Sequence, residues 1–366
     1  MAAPMGNSIW LGEDGKLSQR QVSDTYEPTG ADTLVHIKYS GINPADKKHF
    51  LMGLHSFIAG YEFSGTVIKS GPESLFQFGD AVFGMNRPQH QRPAQLGAHQ
   101  GFAIAEPQAF FKLPEGMGLP EAAATVLVAQ TVFDGLLNCL DFGFPAAGIQ
   151  GSDPTDRSIL IWGGASGVGM AAIQIAKTMR FGSIFVTASP RNHDGLMGLG
   201  ATQCFDYSNP EVVRDIQSAA EKTDSGDLSV VFDAVVAGAD PLLPPAERPP
   251  FRESSPFLAK RCCVAKGPRA EDLKLVSVLP VSDEPAYKHA MCWRPHGDKD
   301  FIGGAQSPEF PHRVRRAMDW LVQHHRDCWR IPRLAIVKGA QAGIGAMERS
   351  AAGEVSFEKI VLEHPL

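Results

Sequence analysis

Apolar and polar side chains alternate through residues 31–39 (ADTLVHIKY), the period-two pattern of a strand with one buried face. The runs at 63–68 (FSGTVI) and 80–84 (DAVFG) are short, β-rich and bounded by glycine or proline, so the first 115 or so residues read as a β-rich domain. From Pro120 the text becomes EAAATVLVAQTVFDGLLNCL, small and apolar residues at helical spacing. That spacing predicts a buried helix bridging two domains, followed by a Gly/Pro/Asp loop at 143–157. Next come an apolar strand (SILIW), a glycine turn (GGASGVG), a helix of about a dozen residues and a second strand (SIFVTA). Together these predict one β-α-β unit with parallel strands, which LSVVFDAV at 228–235 continues as another buried strand. Residues 239–257 carry six prolines in 19 positions and predict an irregular excursion. Beyond it the pattern predicts a helix over 313–326, a strand over 331–337, a helix near 341–352 and a final strand, EKIVLE.

A chain of 366 residues has room for two or three domains, each with its own core. With 34 Lys and Arg against 40 Asp and Glu, the net charge of −6 supplies no electrostatic footprint for nucleic acid or an anionic membrane. The N-terminal MAAPMGNSIWLGEDGKLSQRQ has no basic flank, apolar core or small-residue cleavage site of a secretory leader. No apolar stretch approaches the roughly 18 residues of a spanning helix, so a cytosolic location is expected. The six cysteines, Cys139, Cys204, Cys262, Cys263, Cys292 and Cys328, show no repeated C-x-x-C spacing and are expected as reduced thiols, mostly in the core.

The glycine turn carries the first chemistry. A pyrophosphate binds where a strand turns sharply into a helix, because free backbone N–H groups and the positive end of the helix dipole point at it. Gly164-Ala165-Ser166-Gly167-Val168-Gly169 matches the G-x-G-x-x-G template at Gly164 and Gly169, with Ser166 in the place of the second glycine. About 20 residues on, where an NAD site carries an acid for the ribose 2′-OH, the chain has Ser189-Pro190-Arg191-Asn192. A carboxylate repels a 2′-phosphate, whereas a hydroxyl and a guanidinium bind one, so NADPH is the expected cofactor.

Taken together and in this order, GINPADKKHF, GYEFSGTV, FGDAVFG, GGASGVGMAAIQIA and GEVSFEKIVLE resemble the medium-chain dehydrogenase/reductase superfamily. Within it the chain is similar to the quinone-reductase and enoyl-reductase branch, and to the ToxD-like and trans-acting enoyl reductases that serve fungal polyketide synthases. The resemblance implies an α/β fold: a β-rich GroES-like catalytic domain at 1–125, a doubly wound Rossmann NADPH-binding domain at 126–300, and a segment at 301–366 that returns to the catalytic domain. Zinc members carry G-H-E where this chain has Gly60-Tyr61-Glu62, and tyrosine is a poor replacement for an imidazole ligand. The four closely spaced cysteines of a structural zinc lobe are missing from residues 1–138, and His312, His324 and His325 read as surface or helix residues. No metal is expected.

Without a Lewis acid, conjugate reduction of an activated alkene is easier to reconcile than reduction of a simple ketone. Charge developing on a thioester or ketone oxygen needs hydrogen-bond donors. The resemblance assigns the N-P-x-D-x-K segment to the border of the nicotinamide, here Pro44, Asp46 and Lys48, with Lys48 and Thr131 as catalytic donors and Thr131 at the start of the bridging helix. It also implies Tyr207 near the adenosine end, and Phe357 and Lys359 closing over the cofactor, with Phe357 standing where the family usually has glycine. His55 is a lone loop histidine and is not counted as catalytic. The implied substrate is an enoyl thioester on a polyketide synthase or its acyl-carrier domain. A quinone or enone reductase of free small molecules would use the same pocket, and a non-redox isomerase, pericyclase or cofactor-binding partner is the reading that Phe357 and residues 239–268 motivate.

Overall fold

A computed structural model describes residues 6–224, 227–264 and 272–366. The chain divides into two compact units, residues 1–127 with 325–366, and residues 128–324.

In the first unit the alternating segment forms the strand Thr33–Ile42, which is central to a seven-stranded sheet. The order runs Leu334–Lys338, Lys359–Glu363, Thr33–Ile42, Glu62–Ser70, Ala81–Met85, Phe110–Lys112, and Phe102–Ala105 also pairs with Thr33–Ile42. Val35 and Ile37 face inward with Phe63, Val67, Val82 and Phe110, all fully buried, each side chain contributing about 1.5–3 kcal/mol on transfer from water. The last strand pairs antiparallel with Thr33–Ile42, Ile360 opposite Ile42 and Glu363 opposite Tyr39, so the end of the chain is built into the sheet started near its beginning. A smaller sheet joins Leu17–Val22, Gly6–Leu11 and Phe57–Ile58.

The second unit holds a six-stranded sheet in the order Gln203–Phe205, Ser183–Thr187, Ser158–Trp162, Val230–Asp233, Lys274–Ser277, Tyr287–His289, with every pairing parallel. Numbered along the chain this is 3-2-1-4-5-6, the doubly wound Rossmann order. All five residues of Ser158–Trp162 are buried, as a strand covered on both faces requires. Short, weakly patterned strands such as Lys274–Ser277 and Tyr287–His289 were not expected from the sequence; they exist because a parallel neighbour completes their hydrogen bonding.

One expectation is corrected. The run Leu119–Cys139 is 21 residues long and apolar enough to cross a membrane by length and composition, but it is entirely buried and forms a core helix of the fold. Its last turn, Asp134–Cys139, widens to π-helical geometry around the buried Asp134, whose carboxylate accepts from Asn138 Nδ2 at 2.8 Å and Arg294 Nη2 at 2.9 Å. The proline-rich excursion consists of short turns at Pro245–Glu247 and Phe251–Glu253 before the helix Ser255–Arg261; residues 265–268 of the unusual region lie outside the described residues.

Candidate dinucleotide site

The sheet order of the second unit reverses between Ser158–Trp162 and Val230–Asp233, and a ligand crevice forms outside the carboxyl ends of strands at such a switch point. The glycine turn follows directly from the first of these strands. Gly163 has φ +81°, and its N–H donates to Thr187 Oγ1 at 3.0 Å while that of Gly164 donates to the Thr187 carbonyl at 2.9 Å. A Cβ on Gly164 would lie 2.0 Å from Val186 Cγ1, and one on Gly169 2.3 Å from the Gly163 carbonyl oxygen, so neither position admits a side chain. Ser166, in the place of the second glycine, caps the helix Gly167–Thr178: its Oγ accepts from Gly169 N–H at 3.0 Å and donates to the Ala234 carbonyl at 3.4 Å. The amides of Gly167 and Val168, in the first turn, have no partner within the helix, which suits them to an anion. The residues present fit a dinucleotide pyrophosphate.

Beyond the neighbouring strand Ser183–Thr187, Ser189 Oγ and Tyr207 Oη lie 3.2 Å apart on the surface, and Tyr207 is half-exposed. Arg191 is exposed in the short turn Pro190–Asn192, while Asn192 is buried and its N–H donates to the Ser189 carbonyl at 3.0 Å. Ser189 and Tyr207, 18 residues apart in sequence, are thus brought together, with Arg191 two residues along from Ser189.

Sequence reasoning missed Asp233. At the carboxyl end of its strand it is fully buried, and its Oδ1 accepts from the N–H groups of Val235 at 3.0 Å and Val236 at 2.9 Å. Its Oδ2 accepts from Ser255 Oγ at 2.6 Å. Burial pushes this carboxyl upward, against the hydrogen bonds that hold it down. The available signal was an acid ending an apolar run, FDAVV, where a packed strand has no use for a charge.

In the first unit Asn43, Glu62 and Lys359 form a buried network. Lys359 Nζ donates to Asn43 Oδ1 at 2.7 Å and to Glu62 Oε1 at 3.2 Å, Asn43 Nδ2 donates to the same carboxylate oxygen at 2.8 Å, and Leu127 N–H donates to Glu62 Oε2 at 3.0 Å. Gly41 admits this packing, since a Cβ there would sit 2.5 Å from Glu62 Oε1. Asp46 is fully buried and its Oδ2 accepts from Asn43 N–H at 2.7 Å. The side chains of Asp46 and Lys359, expected at a cofactor surface, are therefore enclosed and hold the 43–48 segment from behind. Pro44 is exposed at the start of the short helix Ala45–Lys48, and Lys48 ends it, half-buried; its neighbour Lys47 is engaged by Glu348. Phe357 has φ +55°, so the backbone keeps a conformation favouring glycine in spite of the side chain.

Tyr61 is buried with its Oη 2.6 Å from His49 Nδ1, and the Arg92 guanidinium covers its ring at 4.4 Å. Burial pushes the His49 imidazole down to about 4. Among the described residues no group of three or more His, Cys, Asp or Glu side chains is arranged to hold a metal ion. In the second unit Thr131 lies inside the helix Val126–Phe133, 5% exposed, and not at a helix start, so a capping role is removed.

A parallel 3-2-1-4-5-6 sheet with a glycine turn at its switch point, in a chain whose other unit is built on a mostly antiparallel sheet, defines a dinucleotide-binding oxidoreductase fold. Residues 29–116 match the alcohol dehydrogenase GroES-like domain. The chain is 31% identical over 217 residues to the trans-enoyl reductase tazE of Aspergillus terreus, covering 54% of this chain and 67% of that protein. It is likewise 31% identical over 230 residues to the trans-enoyl reductase ACTTS2 of Alternaria alternata, covering 61% and 64%. Among the first relatives the match spans between 48% and 67% of their length. A putative zinc-dependent alcohol dehydrogenase from Rhizobium etli superposes with a TM-score of 0.70 at 21% identity over 98% of both chains, and CurK enoyl reductase with 0.65 at 16% over 99% of both. The chain belongs to the medium-chain dehydrogenase/reductase superfamily and is enoyl-reductase-like within it.

Proposed function

We propose that the protein is an NADPH-dependent, zinc-independent enoyl reductase, acting in the cytosol on the α,β-double bond of a polyketide thioester carried by a synthase or its acyl-carrier domain. The observation that carries this reading is the glycine turn at the switch point, closed to side chains at Gly164 and Gly169 and followed by the Ser189–Tyr207 hydroxyl pair beside Arg191. In this reading Gly164 and Ser166–Gly169 cradle the pyrophosphate, and Ser189, Arg191, Asn192 and Tyr207 hold the phosphorylated ribose. A nicotinamide dinucleotide held there would supply the hydride for the β-carbon of the activated alkene, with solvent supplying the proton to the α-carbon. Lys48 and Thr131 donate hydrogen bonds to the substrate oxygen on which negative charge develops. Pro44 and Phe357 border the nicotinamide end, and Asp46 and Lys359 act by fixing the backbone of the 43–48 segment. The thioester carrier, the synthase partner and the role in secondary metabolism are supported by the likeness to the trans-enoyl reductases of Aspergillus and Alternaria.

The test is anaerobic NADPH oxidation by purified, chelator-treated protein offered a 2-enoyl thioester, a quinone or a simple ketone. Turnover of the thioester with neither alternative is expected. Turnover of the quinone alone would instead make the chain a reductase of free small molecules, and cofactor binding without oxidation by any substrate would overturn the redox assignment.

A further inference from the structure

The excursion at 239–257 folds back on the dinucleotide site. Ser255, at its end, donates from its backbone N–H to the Ala237 carbonyl at 2.8 Å and from its hydroxyl to Asp233 Oδ2 at 2.6 Å. A Cβ on Gly238 would lie 3.1 Å from Pro249 and 3.2 Å from Ser254, so Pro249 packs closely on the same turn. The other oxygen of Asp233 takes the amides of Val235 and Val236, and Val236 is held at φ +50°, a left-handed conformation that strains a β-branched residue. Between the two, Val235 projects over the glycine turn: a Cβ on Gly163 would meet its Cγ1 at 2.5 Å. Ser166 ties the same stretch to the turn through the Ala234 carbonyl. A carboxylate with three donors, a strained valine and a partly exposed valine against the first glycine form one continuous construction from the excursion to the pyrophosphate turn.

We propose that Asp233 and Ser255 are positioning residues that latch Val235 against the glycine turn, so that the proline-rich excursion sets how tightly the dinucleotide is held. This rests on the dinucleotide reading of the turn. Removing the Ser255 hydroxyl leaves a buried carboxylate oxygen without its donor, and the strained Val236 is then free to relax and carry Val235 off Gly163.

The experiment measures NADPH affinity by fluorescence, melting temperature, and amide hydrogen exchange of residues 163–169 without cofactor. Ser255→Ala is expected to weaken NADPH binding about tenfold and to speed exchange in the turn. Ser255→Thr, which keeps the hydroxyl, is expected to stay within about twofold of the parent. Val235→Ala, a truncation at a partly exposed position, is expected to weaken binding severalfold without lowering the melting temperature. Should Ser255→Ala lower only the melting temperature, or should both alanine variants bind NADPH as the parent does, the latch is overturned while the dinucleotide reading stands. A parent protein that binds neither NADPH nor NADH overturns both, a result distinct from either.

Discussion

Replacing Lys359 by methionine tests whether this lysine serves the fold or the cofactor. Its ammonium lies 2.7 Å from Asn43 Oδ1 and 3.2 Å from Glu62 Oε1, with side-chain exposures of 7% for Lys359 and 0% for Glu62. Methionine fills nearly the same volume but leaves the Glu62 carboxylate without its cation in a place that water does not reach. Removing one partner of a buried pair costs about 3–5 kcal/mol, well above the cost of losing a neutral hydrogen bond. In a unit of this size that corresponds to a fall in melting temperature of about 10 °C. Urea unfolding of the cofactor-free protein reads the loss directly. Adding Glu62→Gln removes the stranded charge while leaving an acceptor for Leu127 N–H, so the double variant is expected to recover at least half of the loss. A single variant within about 1 kcal/mol of the parent, but with much weaker NADPH binding, would refute the argument and return Lys359 to the cofactor surface.

Arg191→Ala is expected to raise the NADPH dissociation constant by about tenfold or more, the value of one charge-assisted contact, and to leave NADH binding unchanged; equal losses for both cofactors would show that Arg191 does not read the 2′-phosphate. The His49 and His364 imidazoles are held down by burial, to about 4 and about 3 against 6.5 in the unfolded chain. Between those values the unfolded chain binds more protons, so stability is fully present above about pH 6.5 and falls as the pH drops toward 4. His49→Asn is expected to flatten that slope in denaturant titrations between pH 4 and 6.5, and an unchanged slope would count against burial of a neutral imidazole.

Much of the fold was legible because hydrophobic period is a local property. ADTLVHIKY alternates and became Thr33–Ile42, SILIW is apolar throughout and became a strand buried on both faces, and MAAIQIAKT at helical spacing became the helix after the glycine turn. The glycine turn was legible for the same reason: Gly164 and Gly169 are dictated by contacts within one β-α-β unit. The expectation of a buried helix after Pro120 held, but the expectation that no stretch is long and apolar enough to span did not: Leu119–Cys139 passes on length and composition, which do not distinguish a helix surrounded by lipid from one surrounded by protein. Thr131 was misplaced as a helix start because no cap residue announces where this helix begins; its first turns join through Ala123–Thr125 without a side-chain cap signal.

By itself the sequence determined most of the strongly patterned elements in their order, the glycine turn between strand and helix, the presence of Ser189 and Arg191 where an acid could stand, and the superfamily. Only the tertiary structure decided which polar residues are enclosed. Asp46 and Lys359 read as residues lining the cofactor, and they are buried: Asn43, three residues away, donates its N–H to Asp46, while Lys359 reaches Asn43 and Glu62 from the far end of the chain and Leu127 satisfies the second oxygen of Glu62. Asp233 fell unremarked inside the strand expected over 228–235, and its charge is accommodated there because Ser255, 22 residues away, reaches its second oxygen. Period and composition report what a residue prefers on average, whereas the burial of a charge is decided by whether the rest of the chain brings it a partner.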